Sequence, residues 1–108
     1  MTNVETIEQK VQRIADYYGF DKQLNQVIEE CGELIQAAAK YNRVKGEGYD
    51  TSINMEVAAE NLVEELADVQ LVIRQLIYLI DCHDAIVDIT EEKANRQLER
   101  IKKRDRQP

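Results

Sequence analysis

The chain is short of everything that breaks a helix. Of its 108 residues one is proline, Pro108 at the very end, and four are glycine. Tryptophan is absent, phenylalanine occurs once and histidine once. So few breakers allow long helices, and no segment alternates apolar and polar residues with period two. Two cysteines, Cys31 and Cys82, are too few for a disulfide framework. Cys31 lies on an apolar helical stripe, where packing is the expected role. The lone His83 stands beside Asp84 in a polar break, where a histidine is more often solvated than a metal ligand. The longest apolar stretch, Leu71 to Ile80, is interrupted by Arg74 and Gln75 and is too short to cross a bilayer. The first residues lack the basic-then-apolar pattern of a secretory signal. Free thiols and a cytoplasmic setting, away from membranes, are therefore expected.

What is present is charge and helical periodicity. The composition is 44% hydrophobic and 32% charged, which suits one folded domain over residues 1–108 and not a disordered chain. The net charge is −7, yet residues 93–108 hold seven Lys/Arg against two Asp/Glu. A broadly basic surface is missing, which argues against a nucleic-acid polymer as partner. Acid in one region and base in another fits a metal site beside a phosphate site, although helical proteins often carry such faces without one.

Four helices are predicted. The first spans about Val4–Tyr17, with Thr2 and Glu5 at capping-box spacing and a stripe of Val4, Ile7, Val11, Ile14 and Ala15. Gly19 ends it, and Asp21 is placed to cap the second, about Lys22–Asn42. That helix repeats Leu24, Val27, Ile28, Cys31, Leu34, Ile35 and Ala38 at helical spacing. Arg43–Asn54 reads as a loop. The third helix spans about Met55–Asp81. Its second half is apolar on nearly every side, so it needs burial all round, and a homo-oligomer interface would provide that. Cys82–Ile89 reads as a break, and Thr90 as the cap of a fourth helix to about Lys103, with a frayed tail from about residue 104. The expected fold class is all-α, an antiparallel four-helix bundle that is oligomeric.

Two acid pairs stand out. Each residue of a helix advances roughly 100°, so Glu30 and Glu33 lie roughly 60° apart, one turn along. Gln26 and Ala37 extend that line. Glu65 and Asp68 repeat the arrangement on the third helix, and both pairs border apolar faces. Glu29 and Glu64 fall further outward. Facing helices would converge four carboxylates at the edge of a core. Such a cluster repels itself unless a cation neutralises it. All-oxygen ligands select Mg²⁺, with Mn²⁺ a possible substitute, over zinc or copper. Either pair alone is more often plain solvated surface, and a non-catalytic helical interaction module is the bland alternative. Lys93, Arg96, Arg100 and Lys103 share a face of the fourth helix. Such a face can hold phosphate oxygens, or can simply be solvated near a helix C-terminus. Tyr17, Tyr18, Phe20, Tyr41 and Tyr49 offer rings for base stacking or for packing.

The segments Glu29–Leu34 (EECGEL), Glu64–Val69 (EELADV) and Lys93–Arg96 (KANR) together resemble the MazG-like, all-α nucleoside triphosphate pyrophosphatase superfamily, in its single-domain form. The resemblance covers about Leu24 to Arg100. It implies a Mg²⁺-dependent hydrolase that splits a nucleoside triphosphate into monophosphate and pyrophosphate, for instance in nucleotide-pool cleaning. It implies a four-helix bundle assembled as a dimer or tetramer. Glu30, Glu33, Glu65 and Asp68 become metal ligands, and Glu29 a water-orienting acid. Lys93, Asn95 and Arg96 become contacts for triphosphate or sugar. A phosphoribosyl-ATP pyrophosphatase is the nearest alternative activity.

Overall fold

The computed structural model describes residues 4–46 and 52–106. Among them the chain is all helical, with no strand: α1 (Ile7–Tyr18), α2 (Phe20–Gly46), α3 (Ser52–Ile80) and α4 (His83–Asp105). Thr2 and Tyr49 lie outside the described residues. Of the loop expected over Arg43–Asn54, the first residues continue α2 to Gly46 and the last belong to α3 from Ser52, so the helices run further than expected; 47–51 lie outside the described residues.

Several boundaries differ from expectation, each for a local reason. The first helix is capped by Thr6, not Thr2. The Thr6 hydroxyl accepts from the Gln9 amide at 3.1 Å, and the Gln9 side chain accepts from the Thr6 amide at 2.9 Å. Thr6-x-x-Gln9 has the same capping spacing and stands one turn closer to the core. Val4 and Ile7 therefore fall outside the buried stripe, at 82% and 62% exposure.

Gly19 joins α1 to α2 with no further linker. Its φ of 84° and ψ of 171° put it in a region that only glycine occupies without strain. Its amide donates to Ala15 and its carbonyl accepts from Gln23, so one residue closes one helix and opens the next. Asp21 consequently sits inside α2 and does not cap it.

The third junction is tighter still. Asp81 has φ 59°, its amide donates to the Tyr78 carbonyl, and the Cys82 amide reaches back to Ile77. Those two bonds form a Schellman closure. The turn is complete at Cys82, so α4 starts at His83, and Thr90 lies within it instead of capping it. The expected frayed tail is helical to Asp105.

The core is small. Val11, Ala15, Ala58, Val69 and Val72 are its buried apolar residues, joined by Gln23 and Gln75. Along α2 the half-buried and buried positions include 23, 27, 30, 34, 37, 41 and 44. Along α3 they include 55, 58, 62, 65, 69, 72, 76 and 79. Both series step by three and four, the seam of two helices packed knobs into holes. α1 lies against this pair and is tied to α3 by two polar contacts. Arg74 reaches Glu8 at 2.9 Å, and the Tyr78 hydroxyl donates to Asp16 at 3.0 Å.

α4 differs from the other three. Every residue from His83 to Arg106 is exposed. Ile86, Val87, Ile89, Leu98 and Ile101 are 39–56% exposed. Leu71, Ile73 and Ile80 of α3, predicted to need burial all round, are 40%, 39% and 51% exposed in the single chain.

Candidate metal centre

The α2–α3 seam carries two residues that do not belong in an apolar contact. Glu30 occupies a seam position on α2 and Glu65 one on α3. The helices are held together by leucine, valine and alanine above and below, so the two carboxylates are pressed toward each other. Glu33, one turn beyond Glu30, leans over the same point from the exposed edge.

One carboxylate oxygen from each of Glu30, Glu33 and Glu65 lies within 4.8 Å of the others. One oxygen of Glu30 and one of Glu65 are fully enclosed and have no hydrogen-bond partner. Gln26, one turn before Glu30, donates to the other Glu30 oxygen at 3.0 Å. No arginine or lysine forms an ion pair with any of the three among the described residues. Two enclosed carboxylate oxygens without a donor are costly, and a third carboxylate beside them adds repulsion.

The titration behaviour reflects that crowding. The Glu33 carboxyl is raised above its ordinary value, first by the charge of Glu30, then by that of Glu65 and by lost hydration. The Glu65 carboxyl is raised too, first by desolvation, then by the charges of Asp68 and Glu30. A cation in the cluster would reverse both effects. The donor set is entirely carboxylate oxygen, which fits a hard divalent ion.

The other expected site residues fall at graded distances. Asp68 is half-buried and close enough to act on Glu65 electrostatically, but it is not one of the three converging acids. Glu29 is exposed on the outer side of α2 and adds its charge to Glu33. Lys93, Asn95 and Arg96 are exposed on α4, and Arg96 reaches Glu92 of its own helix at 3.5 Å. Within one chain the structure does not bring these three to the cluster.

Sequence reasoning passed over other residues beside it. Glu33 and Glu65 line a cavity of about 490 Å³ together with Gln36, Lys40 and Asn61. Lys40 lies two turns beyond Glu33 on the same face of α2, a spacing of seven that was readable but had no partner in the sequence to give it meaning.

Comparison with protein-family models, curated proteins and solved structures returns no match.

Proposed function

We propose that this protein is a Mg²⁺-dependent nucleoside triphosphate pyrophosphohydrolase, converting a nucleoside triphosphate and water into a monophosphate and pyrophosphate. The observation that carries it is the set of three converging carboxylates with two enclosed, partnerless oxygens, set on the two helices whose motifs resemble the MazG-like superfamily.

In this reading Glu30, Glu33 and Glu65 hold the ion, with Asp68 the fourth ligand. Bound there, Mg²⁺ would neutralise phosphate charge and favour attack by water. The chain's own groups do the remainder. Gln26 holds one Glu30 oxygen and so fixes which oxygens face the cluster. Glu29, on the outer edge, orients the attacking water. Lys40, Gln36 and Asn61 line the adjoining cavity and offer one charge and two amides to polyphosphate oxygens. No nucleophilic side chain is required, because positioning and charge compensation supply the rate.

The finer architecture belongs to the same reading. Gln23 and Gln26 share a cavity with Gln75, whereas Lys40 shares one with Ala58. Rising numbers on α2 meet falling numbers on α3, which supports an antiparallel bundle. We place Lys93, Asn95 and Arg96 at a site completed between subunits of a cytoplasmic dimer or tetramer, which would also cover α4.

The test is pyrophosphate release from a panel of ribo- and deoxyribonucleoside triphosphates, with Mg²⁺ and with chelator. Metal-dependent release with a monophosphate co-product is expected. Turnover of phosphoribosyl-ATP alone would replace the substrate class. No turnover of either would overturn the reading and leave a non-catalytic helical module.

A further inference from the structure

Gln26 stands one turn before Glu30 on α2 and is half-buried. Its side-chain amide donates to Oε1 of Glu30 at 3.0 Å, across the spacing of four that brings two side chains together on one helix face. The other Glu30 oxygen, Oε2, is enclosed and has no partner. The two oxygens of one carboxylate are thereby divided: a neutral donor of the same helix holds one, and the other is left free. Glu65 also keeps one enclosed, partnerless oxygen. Glu30, Glu33 and Glu65 each offer one oxygen to a common point, all within 4.8 Å of one another.

The chemistry of divalent ions decides what this division does. Ca²⁺ takes roughly six to eight oxygens at about 2.3–2.6 Å and readily uses both oxygens of a carboxylate. Mg²⁺ demands a near-octahedral shell at about 2.0–2.1 Å and keeps several waters in it. A carboxylate with one oxygen tied to an amide suits the smaller ion, because it contributes a single atom in a fixed direction. The neutrality of the donor matters as well. Lysine or arginine at position 26 would neutralise the charge that otherwise attracts an ion. Glutamine holds the oxygen and leaves that charge in place.

We propose that Gln26 is a positioning residue that sets the ion selectivity of the cluster. By occupying Oε1 it confines Glu30 to one-oxygen coordination and favours Mg²⁺ over Ca²⁺. The proposal rests on the metal-centre part of the proposed function, and its readout is ion binding, not turnover. Gln26 also lines an open cavity of about 510 Å³ between α1, α2 and α3, so removing its amide leaves no closed void in the core.

The experiment is melting of the intact protein as a function of Mg²⁺ or Ca²⁺ concentration, which gives an apparent affinity for each ion by linkage. Wild type is expected to bind Mg²⁺ more tightly than Ca²⁺. Gln26→Met keeps the length and removes the donor, and Gln26→Ala removes the side chain. Each should reduce the preference for Mg²⁺ over Ca²⁺ by roughly tenfold. Gln26→Lys keeps a donor for Oε1 and adds a charge, so both ions should weaken together and the preference should survive. A Gln26 that only supports the fold would lower the metal-free melting temperature and leave the preference unchanged. If wild type binds Mg²⁺ and hydrolyses triphosphates while the Met and Ala variants keep the preference, the role of Gln26 is wrong and the proposed function stands. If the preference depends on Gln26 and no triphosphate is hydrolysed, the selectivity stands and the function falls. A wild type that binds Ca²⁺ as tightly as Mg²⁺ overturns the selectivity, and one that binds neither removes the metal centre with it.

Discussion

The most exposed wager at the residue scale concerns Glu33 and Glu65. Both carboxyls are held above their ordinary value in the folded chain, so the folded state binds protons more tightly than the unfolded one. The stability they contribute is present in acid and is lost as the pH rises through the folded-state values. The metal-free protein should therefore lose melting temperature between about pH 4.5 and neutrality, as far as these two groups are concerned. Saturating Mg²⁺ should raise the melting temperature more at pH 7.5 than at pH 5, because protons compete for the same oxygens. Glu65→Gln removes one of the repelling charges. It should raise metal-free stability, flatten the pH dependence and abolish the Mg²⁺-linked gain. Glu33→Gln should lower turnover on the order of a hundredfold or more. Calorimetry across pH with and without Mg²⁺, beside the pyrophosphate assay, reads all of these. A Glu65→Gln protein that melts lower than wild type without metal would show that the cluster is not under charge strain.

A second residue carries a backbone argument. Gly19 adopts a conformation that L side chains avoid, and it closes α1 while opening α2. Gly19→Ala should cost roughly 1–3 kcal/mol in urea unfolding. Nothing lies within 4 Å of a Cβ built there, so any loss comes from the backbone and not from a clash.

At the scale of the element, α2 shows how much of the site was legible. The spacing of Glu30 and Glu33 gave their common side, and a parallel reasoning gave Glu65 and Asp68. What spacing could not give is which of several helical stripes faces the neighbour. Leu24, Ile28 and Ile35 look like a core stripe, yet they are 39%, 66% and 69% exposed, while the seam runs through Gln23, Val27, Glu30 and Leu34. Glu30 is thus inside the seam, not beside it, and Gln23 and Gln75 are buried where polar residues were unexpected. Gln75 did carry a signal, as a polar residue within an apolar run. The start of α4 was hidden because the Asp81–Cys82 turn is made by backbone geometry, which a row of polar residues does not distinguish from a loop. Gly32 offers a test at this scale. A Cβ there would meet nothing within 4 Å, so Gly32→Ala should stabilise the metal-free helix by about 0.5–1 kcal/mol through propensity alone. A stabilised but inactive Gly32→Ala would show that substrate or another chain uses the open space beside Gly32.

At the scale of the whole molecule the single chain is more open than its mass warrants. Its accessible surface is 9039 Å², against about 6,200 Å² for a compact monomer of 12.5 kDa. Its radius of gyration is 18.7 Å, against about 13 Å for a compact domain of this length. No helix among the described residues is long and apolar enough to cross a membrane. The excess, about 2,900 Å² per chain, would amount to about 5,800 Å² over two partners, at the upper end of the roughly 2,000–5,000 Å² and more that obligate subunit interfaces bury in total. Exposed large apolar side chains lie on all four helices, among them Tyr17 of α1, Ile35 of α2, Val63 of α3 and Leu98 of α4. Sedimentation at micromolar concentration should accordingly give a dimer or tetramer, with a melting temperature that rises with protein concentration. Leu98→Lys together with Ile101→Lys charges the exposed apolar positions of α4 without touching the carboxylate cluster. The pair should shift the protein toward monomer and lower turnover, because in the proposed site Lys93, Asn95 and Arg96 would reach a cluster only when α4 is packed. A wild-type chain that is monomeric and fully active would remove α4 from the site and leave Lys40 as the cation nearest the phosphates.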